Sequence, residues 1–297
     1  FKNIYISHKK LKPNLVFNFT LKPNIYSGLA CRFLNLKYIS MITGLGYIFI
    51  KNKYMVKKII SFLLSYSLKE SIEVWFTNNF DKSYYIDNKI LSNQLTRIIP
   101  GAGAIFSENE PSFVYQSNPK EFIMIARLLK EKGVEEYLKT ALHYKYDKNI
   151  KFKLVGSYKK DKNYISKKLL DEAISSNVII YKEYVDNISP VIKDATCIIL
   201  PSYREGMSTI LLEAAVLKKP IITTKVPGCI DIIPNESYGT LCEPKDSDSL
   251  INSIDRFLKL SKKDLERQTN ETYEYVKKNY SRDKILKVYD SCLKYIE

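Results

Sequence analysis

Two glutamates, Glu205 and Glu213, interrupt the otherwise apolar run "PSYREGMSTILLEAAVLKKPIITT" (201–224). A carboxylate set among apolar residues is costly unless something binds it. On one continuous helix the two would lie about 12 Å apart along the axis, at about 1.5 Å of rise per residue. The stretch "SYREGMS" reads instead as a turn, with Gly206 supplying backbone freedom and Ser208 in position to cap a helix. That arrangement puts Glu205 in the loop beyond a strand end and Glu213 on the helix that follows. Backbone N–H groups of 206–209, Met207 included, then stand at the positive end of the helix dipole, where an anion such as a diphosphate binds. Carboxylates on either side accept hydrogen bonds from vicinal hydroxyls. The constellation suits a ligand with sugars on both sides of a diphosphate, a nucleotide sugar. The spacing also fits a capped helix with one surface glutamate and one internal ion pair.

A second stretch adds cations. "FIMIARLLKEKGVEEYLKTA" (122–141) ends a strand at Arg127 and reaches Lys132 just before a helix that starts at Gly133. Two cations at a strand-to-helix turn can clamp a diphosphate and neutralise charge as a leaving group departs. Taken alone, the same pair fits a surface loop. "DSDS" (246–249) contains Asp-x-Asp, a spacing found in metal–diphosphate sites, but it directly precedes a helical pattern and reads as a helix cap.

The elements that must position these residues are short apolar strands alternating with helical patterns, the signature of parallel α/β units. In the first third, strands are expected at 15–20, 37–44, 72–78 and 96–101, with helices around 24–35, 53–69 and 79–90. The polar piece "GAGAIFSENEPSFVYQSNPKE" (101–121) interrupts the alternation and reads as a linker. Strands then resume at 122–127, 151–156, 177–183, 196–202, 220–224 and 238–244, and the last fifty residues read as helical. The fold class is α/β: two Rossmann-like, doubly wound parallel-sheet domains facing a cleft, with ligands expected at the carboxyl ends of strands. The expected domains are 1–105, 106–280 and a closing helix, 281–297, that crosses back to the first domain.

The chain has 297 residues, 45% hydrophobic and 27% charged, a globular composition. Five scattered cysteines without a Cys-x-x-Cys argue against a disulfide framework or a zinc site and favour a reducing compartment. Net charge is +15 and unevenly placed: residues 1–69 carry 12 Lys/Arg and no Asp/Glu. An anionic partner for the first third follows from that asymmetry, as does a merely solvated basic face. No stretch reaches the roughly 18 apolar residues that span a bilayer. "KNKYMVKKIISFLLSYSLK" (51–69) reads as a basic helix with Met55, Val56, Ile59, Ile60, Leu63 and Tyr66 on one broad face, flanked by Lys53, Lys57 and Lys58. Such a helix can lie in a membrane interface or pack against a core.

The order "ARLLKEKG", then "VDNISPVIKDATCIILPSYREGMSTILLEA", then "PIITTKVPG" resembles glycosyltransferase family 4, whose Glu-x7-Glu signature matches Glu205 and Glu213. "FNFTLKPNIYSGLACRFLNLKYISMITGLGYIFI" (17–50), "FTNNFDKSYYI" and "IIPGAGAI" resemble a subgroup that builds bacterial surface polysaccharides and lipid-linked oligosaccharides. The resemblance runs over nearly the whole chain. It implies the GT-B fold and a metal-independent, retaining transfer from a nucleotide sugar, here taken as a UDP-sugar, to a polyprenyl-diphosphate-linked saccharide. No cofactor is implied. By position, Arg127 and Lys132 would hold the diphosphate, and Glu213 the ribose hydroxyls. Glu205 would contact the donor sugar with the backbone of Gly206, Met207 and Ser208, and the base would sit near Tyr184 and Val185. Lys53, Lys57 and Lys58 would face the acceptor and an anionic membrane surface, placing the enzyme in the cytoplasm, peripheral on the inner face of the plasma membrane.

The sequence departs from the family in its opening: the initial strands and glycine-rich loop are absent, so a truncated first domain is expected. Two further readings remain open at this level. One is a nucleotide-binding fragment without turnover. The other is a basic nucleic-acid-binding protein, which no helix-turn-helix, zinc-finger or RNA-binding signature supports.

Overall fold

Residues 1–45, 54–91, 94–115 and 119–296 are described by the computed structural model. The apolar runs become strands because branched and aromatic side chains pack well on a pleated surface. Ten strands occur among the described residues, one at each place where the sequence pattern calls for one. All pair in parallel. The chain divides into two compact units, Phe1–Ala102 with Asp283–Glu297, and Gly103–Arg282.

The first unit contains α1 (Lys2–Leu11), β1 (Val16–Phe19), α2 (Leu21–Phe33), β2 (Tyr38–Ile42), α3 (Tyr54–Leu68), β3 (Glu73–Phe76), α4 (Asn79–Asp87) and β4 (Leu95–Ile98). Its sheet runs β1-β2-β3-β4. Strand alternation sends Ile42, Val74 and Phe76 to one face, where they pack with Leu64 and Leu68 of α3 and Tyr85 of α4. Ile39, Met41 and Trp75 point the other way and pack with Ile285 and Cys292 near the end of the chain.

Helix α3 is apolar over most of its circumference, so packing rather than composition selects its inner face. The broad face read from sequence is split. Met55, Val56, Ile59 and Tyr66 are exposed, whereas Ile60 and Leu63 pack against the core beside Leu64 and Leu68. Lys57 is half-buried, its Nζ 5.2 Å from the ring centre of Tyr84, and Lys58 is exposed. Lys53 lies outside the described residues. Among the described residues no helix is long and apolar enough to cross a membrane.

The second unit holds β5 (Lys120–Ile125), α5 (Val134–His143), β6 (Ile150–Val155), α6 (Lys167–Ser175), β7 (Ile179–Lys182), α7 (Ser189–Asp194), β8 (Cys197–Leu200), α8 (Thr209–Val216), β9 (Ile221–Thr224), β10 (Thr240–Cys242), α9 (Ser247–Leu258) and α10 (Lys262–Tyr280). A last helix, α11 (Arg282–Asp290), follows. The strand order is β10-β9-β8-β5-β6-β7. Strands therefore wind outward in both directions from the β5/β8 pair, and the crevice at their carboxyl ends is where such sheets bind ligands. One continuous core, with Phe122, Met124, Ile198 and Leu211 fully buried, fills the unit. Asp246 is the N-cap of α9, its side chain accepting from Ser249 N at 2.9 Å, so the Asp-x-Asp pair serves as a cap. The cysteines are free and buried.

Candidate functional site

The site is built at the switch point, from the loop after β5 and the loop after β8. Arg127 stands just past β5, exposed, and its side chain has no hydrogen bond or ion pair among the described residues. The chain then turns through a short 3₁₀ segment, Lys130–Lys132, and ends it at Gly133 with φ 74°. A Cβ at that position would lie 2.0 Å from the Pro201 carbonyl oxygen. Only glycine combines that left-handed backbone with so close an approach. The contact fixes the first loop against the second.

Tyr203 joins the same two loops. Its backbone N–H donates to Glu131 O at 2.8 Å, and its hydroxyl donates to Glu136 Oε1 at 2.7 Å. Burial first, and then the Glu136 carboxylate, raise the Tyr203 phenol, so it stays a donor.

The consequence is that Lys132 meets Glu205. Lys132 Nζ lies 2.6 Å from Glu205 Oε1 and 2.7 Å from Oε2, and Ser202 Oγ donates to Oε1 at 2.7 Å. Glu205 is only 9% exposed, and these donors offset the cost of burying its charge. Its backbone is clamped as well. Glu205 N donates to Pro227 O at 3.2 Å, and Gly228, with φ 80°, sits so close that a Cβ there would fall 2.5 Å from Glu205 O. The conformational freedom assigned from sequence to Gly206 is a correction: the left-handed glycines of the site are Gly133 and Gly228, and Gly206 is not among them.

Ser208 caps α8 as the sequence reading has it, its hydroxyl accepting from Leu211 N at 3.4 Å. The other first-turn N–H groups of a helix have no partner within the helix. Met207 packs its side chain on the core beneath this turn. Glu213, on α8 itself, is different from Glu205. It is half-buried on a helix whose neighbouring positions Leu211, Leu212, Ala214 and Ala215 are buried, and its carboxylate has no partner among the described residues. Burial pushes its carboxyl above the ordinary glutamate range. Tyr184, 74% exposed, and the half-buried Val185 lie just beyond β7.

The structure thus brings Lys132 and Glu205 into direct contact and leaves Arg127 and Glu213 as one unpaired cation and one unpaired anion. Sequence reasoning passed over Ser202, Tyr203, Glu136 and Gly228. Two signals were available: polar residues bracketing Glu205, and the Pro-Gly pair at 227–228 that marks a turn. Among the described residues no group of three or more His, Cys, Asp or Glu side chains gathers as a metal site.

The family described as "Glycosyl transferases group 1" matches residues 106–275, more than half of the chain. The chain is 27% identical over 316 residues to N,N'-diacetylbacillosaminyl-diphospho-undecaprenol alpha-1,3-N-acetylgalactosaminyltransferase of Campylobacter jejuni, with 99% of this chain and 82% of that protein covered. It is 26% identical over 278 residues to UDP-Gal:alpha-D-GlcNAc-diphosphoundecaprenol alpha-1,3-galactosyltransferase of Escherichia coli, covering 86% of this chain and 68% of that one. Among solved structures, Anabaena Alr3699/HepE in complex with UDP superposes with a TM-score of 0.79 at 14% identity, over 99% of this chain and 81% of that one. That last likeness is one of fold.

Proposed function

The chain belongs to the group 1 glycosyl transferases, and from that premise we propose that it moves a sugar, with retention at the anomeric carbon, from a UDP-sugar to a saccharide carried on a polyprenyl diphosphate. The observation that carries the donor half of this reading is Glu213. A half-buried carboxylate on an apolar helix, with its carboxyl pushed up by burial and no protein partner among the described residues, calls for hydroxyl donors from a ligand. A ribose supplies two adjacent ones.

The remaining roles follow from placement. Arg127, exposed and unpaired, meets the diphosphate with Lys132, and the two cations take up charge as the bond between the sugar carbon and the phosphate oxygen breaks and its electron pair leaves with the nucleotide. No metal is assigned to that step, so transfer is expected to survive EDTA. Glu205, beside Lys132, receives a hydroxyl of the transferred sugar, which is bonded to the same diphosphate. The backbone of Gly206, Met207 and Ser208 lies along the α8 N-terminus. Tyr184 offers an exposed ring, and Val185 an apolar edge, to the base. The acceptor half rests on the two relatives, whose names specify diphospho-undecaprenol-linked sugars. An acceptor of that kind lies in a membrane, and the basic first third and the exposed apolar residues of α3 support association with an anionic membrane surface. Lys58 is exposed on that helix.

Calorimetric titration with UDP, GDP and ADP tests the donor site directly. UDP binding is expected to weaken at least about tenfold in Glu213→Ala and in Arg127→Ala, the loss of one charge-assisted contact each. Undiminished UDP affinity in Glu213→Ala would overturn the ribose assignment.

A further inference from the structure

Glu205 is the most fully engaged polar side chain of the site, and the manner of its engagement limits what it can still accept. A carboxylate offers about four lone-pair positions, two on each oxygen. Oε1 takes Lys132 Nζ at 2.6 Å and Ser202 Oγ at 2.7 Å, which fills it. Oε2 takes Lys132 Nζ at 2.7 Å, which leaves it a single position. The donor on Oε1 is not free to swing away. Ser202 is fully buried, its carbonyl accepts from Thr224 Oγ1 at 2.5 Å, and the Leu200 carbonyl two residues earlier accepts from Thr223 Oγ1 at 2.8 Å. Strand β9 therefore anchors Ser202 independently of Glu205, while Gly228 holds the Glu205 backbone from the other side.

We propose that Ser202 is the positioning residue that determines donor-sugar specificity: by occupying Oε1 it fixes the carboxylate plane and leaves Glu205 one acceptor position, so that the sugar is read through a hydroxyl of one defined direction. Hexoses epimeric at that hydroxyl place it on opposite sides of the ring. A carboxylate with a single open position discriminates between them, because the wrong epimer leaves a buried acceptor without its donor. A carboxylate free to rotate, with open positions on both oxygens, follows the hydroxyl to either side. The inference rests on Glu205 facing the transferred sugar of a UDP-sugar.

The test uses the full chain as wild type, Ser202→Ala and Ser202→Thr, and calorimetric affinities for UDP, UDP-glucose, UDP-galactose and their N-acetyl counterparts. Dividing each UDP-sugar affinity by the UDP affinity isolates the contribution of the sugar. Ser202→Ala is expected to narrow the spread among the four sugars by roughly three- to tenfold, the value of one ordinary hydrogen bond, while UDP affinity stays within about twofold. Ser202→Thr, which keeps the hydroxyl, is expected to restore the spread. A loss of UDP affinity as large as any loss of sugar affinity would make Ser202 merely structural and overturn the proposal. An unchanged spread in Ser202→Ala with UDP binding intact would also overturn it and leave the donor site standing. A wild-type chain that binds none of the nucleotides would remove the donor-site reading, and this inference with it.

Discussion

At the scale of single residues, the two glutamates of one motif sit in opposite electrostatic situations. Glu205 is buried with its charge matched by Lys132, and Glu213 is half-buried with nothing to match it. Burial raises the Glu213 carboxyl, so the folded chain holds that proton more tightly than the unfolded chain does. The group's contribution to stability is therefore complete below the ordinary glutamate range and is lost as pH rises through the raised value. Ionised Glu213 is a cost to the fold at neutral pH. Glu213→Gln should then melt roughly 1–3 °C higher than wild type near pH 7 and lose that advantage near pH 4, while binding UDP at least about tenfold more weakly. A thermal melt series across that range, beside a UDP titration, checks both halves, and a variant destabilised at neutral pH would contradict the first. Such opposition between stability and binding is expected where a group is kept for a ligand. It also explains what could be read beforehand. Charges inside an apolar run announce themselves, as Glu205, Glu213, Arg127 and Lys132 do. Ser202 and Tyr203 show only as polar residues bracketing Glu205, because the partners that anchor them, Thr224 and Glu136, are remote in sequence.

At the scale of elements, periodicity located every described strand because each is a short apolar run bounded by turn residues, and a parallel strand buried on both faces reads that way. The six-residue helix α7 was missed because so short a piece has no period to detect. Loop geometry was less legible still. Gly133 and Gly228 were visible as glycines, but only the fold shows that one lies against Pro201 and the other against Glu205. For α3 the pattern gave the helix and not its inner face, since apolar residues surround it. What is left outward is a stripe of Met55, Ile59, Phe62 and Tyr66, 69%, 56%, 69% and 40% exposed, with Lys58 also exposed. Successive members are three or four residues apart and share one side. If this side enters a membrane interface, Met55→Ser with Phe62→Ser should reduce binding to vesicles containing anionic phospholipid at least tenfold, since each buried side chain of this size is worth about 1.5–3 kcal/mol. UDP affinity in solution should not change. Vesicle flotation with the double variant decides it, and full retention on the vesicles would remove α3 from the membrane contact.

At the scale of the whole chain, the first unit closes with residues that come last in sequence, and one buried carboxylate holds that closure. Glu73 opens β3 and is fully buried, yet it accepts from Trp75 Nε1 at 2.7 Å, from Arg97 through both Nε at 2.6 Å and Nη2 at 2.7 Å, and from Tyr295 Oη at 2.6 Å. Tyr289 adds its ring edge-on to Trp75 at 5.0 Å, and Ile285 and Cys292 fill the same cluster. Burial alone would raise the Glu73 carboxyl, but the donors from Arg97, Tyr295 and Trp75 outweigh it and hold the group below the ordinary glutamate range. A carboxyl depressed in the folded state contributes stability above its unfolded value and loses it as pH falls through the folded one. Docking of the final segment should therefore persist through mild acid and fail only once pH falls below the ordinary glutamate range. Trp75 is the chain's single tryptophan, so its emission reports this cluster without interference from elsewhere. The emission should shift to the red as Glu73 takes up its proton and the segment carrying Tyr289 and Tyr295 lifts away. Tyr295→Phe removes one donor, raises the Glu73 carboxyl and should move that transition to higher pH. If the transition stays where it was, the Tyr295 hydroxyl does not hold the segment, and the apolar contacts of Ile285, Tyr289 and Cys292, with the Lys37 Nζ bond to the Tyr295 carbonyl at 2.8 Å, do so instead.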